Sequence, residues 1–164
     1  MRKNLINSTT KYISVAEEID FLDKYLMLEQ IRFNNSFDYR IEETLENIHD
    51  TLVPPMLLQP FIENAVIHGL SKLTGRSGKL EIVLAEKNDL IVCTITDNGI
   101  GRKSALKNKS LGHQSVAISN LETRLQLLND SSGKQEYTYD ITDLEMDGEP
   151  SGTRVQVSFP NDLH

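Results

Sequence analysis

The sequence has 164 residues, 38% of them hydrophobic, which is enough for one domain with a buried core. A net charge of −7 at pH 7 argues against a nucleic-acid-binding function, and no apolar run approaches the length that crosses a bilayer. Cys93 is the single cysteine and lies in an apolar run, so an intrachain disulfide is excluded. We expect a buried structural thiol and a reducing, cytoplasmic compartment.

The first predicted element is a helix. Residues 1–13 are polar and unpatterned, after which Ser14 and Glu17 have the spacing of a capping box. Apolar residues then recur at helical spacing and predict a helix over 15–32, and alternation over 37–42 predicts a half-buried strand. We expect residues 1–35 to form an N-terminal helical segment and residues 36–164 to form the main domain.

A proline-rich stretch precedes the second predicted helix. Pro54 and Pro55 suit a first helical turn, whereas Pro60 inside a helix loses a hydrogen bond and clashes one turn back. The sequence therefore predicts a tight turn over 54–58 and a regular helix that begins at Pro60 and ends at His68. Gly69 is then placed to be its C-cap.

The middle of the chain reads as a β-hairpin. The apolar runs 80–85 and 90–96 are joined by four polar residues, which predicts two antiparallel strands and places Asp97 at the carboxyl end of the second. Residues 102–114 are polar and basic and are predicted to be a loop.

The C-terminal part predicts one helix and a final pair of strands. Helical spacing covers 116–128, and alternation covers 135–142 and 153–159. Four acidic residues between these strands are predicted to form a solvated turn: Asp143, Glu145, Asp147 and Glu149.

Two segments carry the chemistry. Asn64 lies on the second predicted helix, and its side-chain oxygen is a hard ligand suited to a magnesium ion that phosphates and water already hold. Asp97, Gly99 and Gly101 follow a strand as Asp-x-Gly-x-Gly, where a carboxylate accepts from an adenine amino group and glycines let backbone approach a flat base. In this order the two segments can build a pocket for Mg-ATP. For each motif taken singly, the alternatives are an exposed helix residue at Asn64 and a plain turn at Asp97-Asn98-Gly99.

Basic residues follow the second segment. Arg102, Lys103, Lys107 and Lys109 have no acid between them, so beside a phosphate site they would attract a polyanion to an otherwise acidic protein. The alternative is a solvated, mobile loop with no ligand.

Together these segments resemble the ATP site of the histidine-kinase and gyrase-type ATPase superfamily. The resemblance is carried by three runs: Gln59 to Gly69, Thr96 to Arg102, and Gly152-Thr153-Arg154-Val155. It implies an α+β fold of the Bergerat type, a two-layer α/β sandwich in which a mixed β-sheet has helices on one face and an ATP lid.

The resemblance also implies roles for the site residues. Asn64 would bind Mg²⁺ and Asp97 would accept from the adenine amino group, with Thr153 supporting Asp97 from the neighbouring strand. His68 lies one turn beyond Asn64 and would contact phosphate, although a histidine packed on the core is the alternative. The remaining cofactor-binding positions would be Gly99, Ile100, Gly101, Arg102 and Lys103.

The residue four positions before Asn64 separates two reaction types. Relatives that hydrolyse ATP place a Glu there to activate water, whereas this chain has Pro60, which neither accepts nor donates a proton. A site without a base for water transfers its phosphoryl group to another acceptor, which favours a kinase over an ATPase.

Two further runs resemble the LytS-like sensor histidine kinases: Glu18 to Phe33, and Val53 to Ala65. That family implies a bacterial membrane receptor that autophosphorylates on a histidine and passes the phosphoryl group to a response regulator. The phosphoacceptor context of the family is missing around all four histidines of this chain. We therefore expect a fragment, namely the cytoplasmic catalytic domain without its histidine-containing dimerisation segment.

Three positions depart from the family pattern. Ile67 replaces a common lysine, and Ser115 and Ala117 stand where the lid motif has glycine. They motivate one alternative to a histidine kinase, a nucleotide-binding switch without phosphoryl transfer. A second alternative is a serine kinase of the anti-sigma-factor type, which shares the fold.

Overall fold

The structure is a computed structural model that describes residues 12–102 and 116–161, without the side chains of 116–118. The chain order of its elements is β1 (Ile13–Ser14), α1 (Val15–Arg32), β2 (Phe37–Glu43), β3 (Leu52–Val53), α2 (Gln59–Glu63), β4 (Gly78–Lys87), β5 (Leu90–Asp97), α3 (Val116–Ser132), β6 (Thr138–Met146) and β7 (Glu149–Pro160). The predicted loop over 102–114 lies outside the described residues beyond Arg102.

One mixed sheet organises the molecule. Its strand order is β2-β4-β5-β7-β6, in which β2 and β4 run parallel and every other neighbouring pair is antiparallel. Alternate strand residues are buried in one core with residues of all three helices, as in Ile82, Cys93, Leu22, Phe61 and Leu125. The predicted α+β sandwich with a mixed sheet is confirmed, and the buried Cys93 thiol is where the sequence placed it.

Helix α1 begins at the predicted capping box. The Ser14 hydroxyl accepts from the Glu17 N–H at 3.1 Å, and the Glu17 carboxylate accepts from the Ser14 N–H at 2.8 Å. Its inner face buries Leu22 and Leu26 completely, and each such side chain contributes about 1.5–3 kcal/mol. These leucines share a core with the sheet, and the division of the chain at residue 35 stays a prediction.

Helix α2 differs from the regular helix that the sequence predicts. It begins at Gln59, changes to a π-helical turn over Asn64–Gly69 and continues as a 3₁₀ turn over Leu70–Lys72. Gly69 is therefore not a C-cap, and its φ of −98° is not left-handed. The regular-helix prediction is wrong because π turns are set by tertiary contacts, which the spacing of apolar residues does not encode.

The strands confirm the hairpin and correct the acidic turn. β4 and β5 are joined at Asn88 and Asp89, whose φ values of 51° and 62° are those of a tight hairpin turn. Only Asp147 of the four predicted turn acids lies in the turn, because Asp143 and Glu145 belong to β6 and Glu149 belongs to β7. β6 is an edge strand, where charged side chains are tolerated because one side of the strand meets solvent.

Candidate functional site

Asp97 is the centre of the candidate site. It ends β5, is only 5% exposed, and its carboxylate accepts from the backbone N–H groups of Gly99, at 2.8 Å, and of Thr153. Burial raises the pKa of Asp97 to about 6, and the two hydrogen bonds act in the opposite direction. A buried carboxylate with a raised pKa and a fixed orientation is typical of a binding site.

Thr153 lies where the sequence predicts it. It is directly opposite Asp97 in the antiparallel register of β5 and β7. Its support of the carboxylate comes from its backbone N–H, so the strand register, more than the hydroxyl, holds Asp97 in place.

Gly99 packs tightly against the end of α2. A Cβ at Gly99 would lie 2.6 Å from the Gly69 backbone and 2.7 Å from the Asp97 carboxylate, so another side chain forces the loop and helix apart. The Ile100 N–H donates to the Gly69 carbonyl at 3.4 Å. Gly69 therefore joins the helix that carries Asn64 to the Asp-x-Gly-x-Gly loop.

Asn64 opens the π-helical turn and is partly buried. Gly69, five positions later, ends the same turn, and a Cβ at Gly69 would lie 3.1 Å from Asp97 Oδ1. The turn therefore begins at Asn64 and ends beside Asp97. His68 is partly buried in the same turn, between them in the chain.

Glu63 is hydrogen-bonded within its own helix. Its carboxylate accepts from Gln59 Nε2 at 2.8 Å, within the same helix. No group of three or more His, Cys, Asp or Glu residues that could hold a metal occurs in the described part of the chain. The chemistry of Asn64 fits magnesium only as one oxygen ligand among those that phosphates and water supply.

Arg102 forms an ion pair with Asp143 on β6. Its guanidinium donates to both carboxylate oxygens of Asp143, at 2.7 Å from Nε to Oδ1 and 3.1 Å from Nη2 to Oδ2. This hydrogen bonding raises the pKa of Arg102, so the group stays charged. The predicted partner Lys103, and the lid positions Ser115 and Ala117, fall where the structure describes no side chain.

Sequence reasoning missed two residues next to the site. The sequence prediction places Asp143 in a solvated turn, although its two-residue spacing from the apolar Ile141 is the signal that continues β6. The sequence predicts no role for Asn98. Its side chain accepts from the Lys79 N–H at 2.6 Å and donates to the Ser77 carbonyl at 3.3 Å, which fastens the loop to β4.

Comparison with known proteins agrees with this geometry. A family model described as histidine kinase matches residues 1–37. The sensor protein LytS of Oceanobacillus iheyensis is 28% identical over 171 aligned positions, which cover 98% of this chain and 27% of that protein. The LytS sensor proteins are homologues of this chain.

A further relative comes from Bacillus subtilis. A putative uncharacterized protein of Bacillus subtilis, YwpD, is 31% identical over 125 residues, 73% of this chain and 43% of that protein. The chain thus spans less than half the length of the relatives it matches, and about a quarter of the LytS proteins.

Solved structures show the same fold. The mycobacterial sensor histidine kinase MprB superposes with a TM-score of 0.62 at 12% identity over 95% of this chain and all of that one. The histidine kinase ThkA, solved in complex with the response regulator protein TrrA, gives a TM-score of 0.54 at 15% identity over 93% of this chain and 42% of that one. The fold is that of histidine kinase catalytic domains. Among the described residues, no helix is both long and apolar enough to span a membrane.

Proposed function

We propose that this chain binds Mg-ATP and transfers the γ-phosphoryl group to a histidine on a dimerisation segment of the same receptor. A response regulator would then receive the group, as expected for the cytoplasmic domain of a membrane-anchored receptor. The observation that carries the proposal is Asp97, a buried carboxylate that two backbone N–H groups orient at the end of β5. Its surroundings match the needs of an adenine base.

Adenine recognition requires the ionised form of Asp97. The carboxylate accepts from the exocyclic amino group, and the closely packed Gly99 presents backbone, without a side chain, to the ring. Because the pKa of Asp97 is about 6, the carboxylate is ionised at neutral pH without a bound base. Burial excludes water, which otherwise competes for the same hydrogen bond.

Phosphoryl transfer depends on positioning more than on acid–base catalysis. Asn64 lies at the other end of the turn, where its oxygen would complete the ligands of a magnesium ion that neutralises charge on the phosphates. An imidazole nitrogen of the acceptor attacks the γ-phosphorus, the bond to the bridging oxygen breaks, ADP leaves, and the imidazole proton passes to solvent. Pro60 lies within α2 one turn before Asn64 and offers no base to activate water.

A transfer assay in trans tests the proposal. The chain is incubated with γ-labelled ATP and a separately produced histidine-containing dimerisation segment from a LytS relative, with Asp97→Asn as the matched control. We expect acid-labile, base-stable label on the segment with the unchanged chain and a loss of at least about a hundredfold with the variant. Nucleotide binding without any labelled segment would contradict the transfer step.

A further inference from the structure

The ion pair between Arg102 and Asp143 lies in the same row of the sheet as Thr153 and Asp97. Asp143 is directly opposite Thr153, and Thr153 is directly opposite Asp97, in the antiparallel registers of β6, β7 and β5. Directly opposed residues project from the same face of a sheet, so all three side chains form one row. The ion pair therefore lies two strands from Asp97, roughly 10 Å away, on the face that holds the site.

The loop that includes Gly99 and Gly101 is held by contacts at both of its ends. At its start, Asp97 accepts from the Gly99 N–H and Asn98 is hydrogen-bonded to β4. At its end, Gly101 has a φ of +75°, and a Cβ there would lie 2.9 Å from Pro150, so the backbone rests on the β6–β7 hairpin. Arg102 follows directly and is held by Asp143.

We propose that Arg102 and Asp143 are a positioning pair for the nucleotide base. Their paired hydrogen bonds fix the far end of the Gly99–Gly101 wall against β6. Arg102 therefore acts on the base through the loop instead of binding the phosphates. The inference rests on the proposed nucleotide function and adds a residue, Asp143, that the sequence assigned to solvent.

The geometry favours this role over a phosphate contact. Nε and Nη2 of Arg102 both donate to the Asp143 carboxylate. This planar arrangement of two hydrogen bonds is the one that arginine forms most strongly with a carboxylate. The row of opposed residues places that carboxylate beside Thr153, next to the base, whereas Asn64 lies at the other end of the α2 turn.

The test compares two ligands and four variants of the chain. Dissociation constants for adenosine and for a non-hydrolysable Mg-ATP analogue are measured by calorimetry. The variants are Asp143→Asn, Arg102→Gln, their combination, and the charge swap of Arg102→Asp with Asp143→Arg. Asp140→Asn is the matched control, because it removes an acidic charge of β6 that also acts on Arg102 but leaves both hydrogen bonds of the ion pair in place.

We expect each single variant to weaken adenosine and the analogue by the same factor, about three- to tenfold. The combination should be no weaker than either single change, and the swap should recover most of the loss. Asp140→Asn should bind as the unchanged chain does. Thermal midpoints without ligand separate this effect from unfolding, because a merely structural pair lowers the midpoint without changing the affinity of the folded protein.

Three results would overturn the inference. Unchanged or tighter binding by Asp143→Asn would show that the pair does not position the base. Weakening by Arg102→Gln of the triphosphate but not of adenosine would make Arg102 a phosphate contact. If the unchanged chain bound neither ligand, the proposed function would fail together with this inference. In the first two results, by contrast, the unchanged chain binds and only the role of the ion pair fails.

Discussion

At the scale of single residues, burial of the Asp97 carboxylate lowers the stability of the folded protein when that group is ionised. Among the described residues, the buried Asp97 carboxylate accepts from two backbone N–H groups, and desolvation outweighs these hydrogen bonds. A further donor, such as the amino group of the proposed adenine ligand, would satisfy this carboxylate better.

Affinity for the base should depend on pH through Asp97. Protonation removes the acceptor, so binding of adenosine should be constant at alkaline pH and fall about tenfold per unit below the pKa of about 6. Adenosine is the appropriate probe because it has no phosphate that titrates in this range. Competition against a fluorescent nucleotide gives the profile. A flat profile across pH 6 would contradict the assignment.

Replacing Asp97 should stabilise the empty protein while it removes binding. The pKa of Asp97 is raised from 3.8 to about 6 on folding, so the stability that this group contributes is present below pH 4 and is lost as the pH rises through 6. Asp97→Asn cannot ionise and avoids that loss. We expect a gain of about 1–3 kcal/mol in the free energy of unfolding at pH 8.

Urea unfolding at two pH values checks this difference. The gain in the free energy of unfolding should be smaller at pH 4.5 than at pH 8, because Asp97 of the folded, unchanged chain is largely protonated at pH 4.5. A variant that is less stable than the unchanged chain at both values would show that the carboxylate is net stabilising.

At the scale of elements, the junction of α1 with α2 depends on one buried side chain. Glu18 is 2% exposed, and its carboxylate accepts from the N–H groups of Met56, at 3.0 Å, and Leu58, at 3.3 Å. Burial raises the pKa of Glu18, and these hydrogen bonds lower it. Met56 has a φ of +60°, so the turn before α2 is held in a conformation that the chain does not favour by itself.

Truncating Glu18 should therefore destabilise the protein strongly. Glu18→Ala removes the acceptor of the Met56 and Leu58 N–H groups, the second of which is buried. We expect a loss of about 2–4 kcal/mol, with a smaller loss for Glu18→Gln, which keeps an acceptor oxygen. Thermal or urea unfolding measures both.

The matched control lies on the same helix. Asp20 pairs with Lys24 at 2.6 Å with 64% of its side chain exposed, so Asp20→Ala should change stability by no more than about 0.5 kcal/mol. Equal effects of the changes at Glu18 and Asp20 would refute the role of Glu18 in the turn.

Local chemistry explains which elements the sequence predicts well. The capping box at Ser14 and the hairpin turn at Asn88 are encoded by neighbouring residues, and both are confirmed. The π turn that begins at Asn64 ends at Gly69, which contacts Gly99 and Ile100 thirty or more residues away, and periodicity cannot reveal such contacts. β6 extends through Asp143 because it pairs with β7 there, although strand propensity alone disfavours Asp.

At the scale of the whole molecule, the sheet brings together segments that are distant in the chain. The contact of Gly69 with Gly99 brings the turn that begins at Asn64 to Asp97 on β5, and the strand order places Thr153 on β7 and Asp143 on β6 in line with Asp97. The sequence predicts Asn64, Asp97 and Thr153 from their motifs. It does not predict Asp143, because the link from β6 to the site runs through strand order, and strand order is a property of the complete fold.

The central claim is that this arrangement is a nucleotide pocket centred on Asp97. Calorimetric titration of the chain with a non-hydrolysable Mg-ATP analogue at pH 8, beside Asp97→Asn, tests it most directly. We predict micromolar binding to the unchanged chain, and for the variant a loss of about a hundredfold or more, although the variant is folded and at least as stable. Equal affinity of both proteins, or no heat of binding from the unchanged chain, would contradict the account.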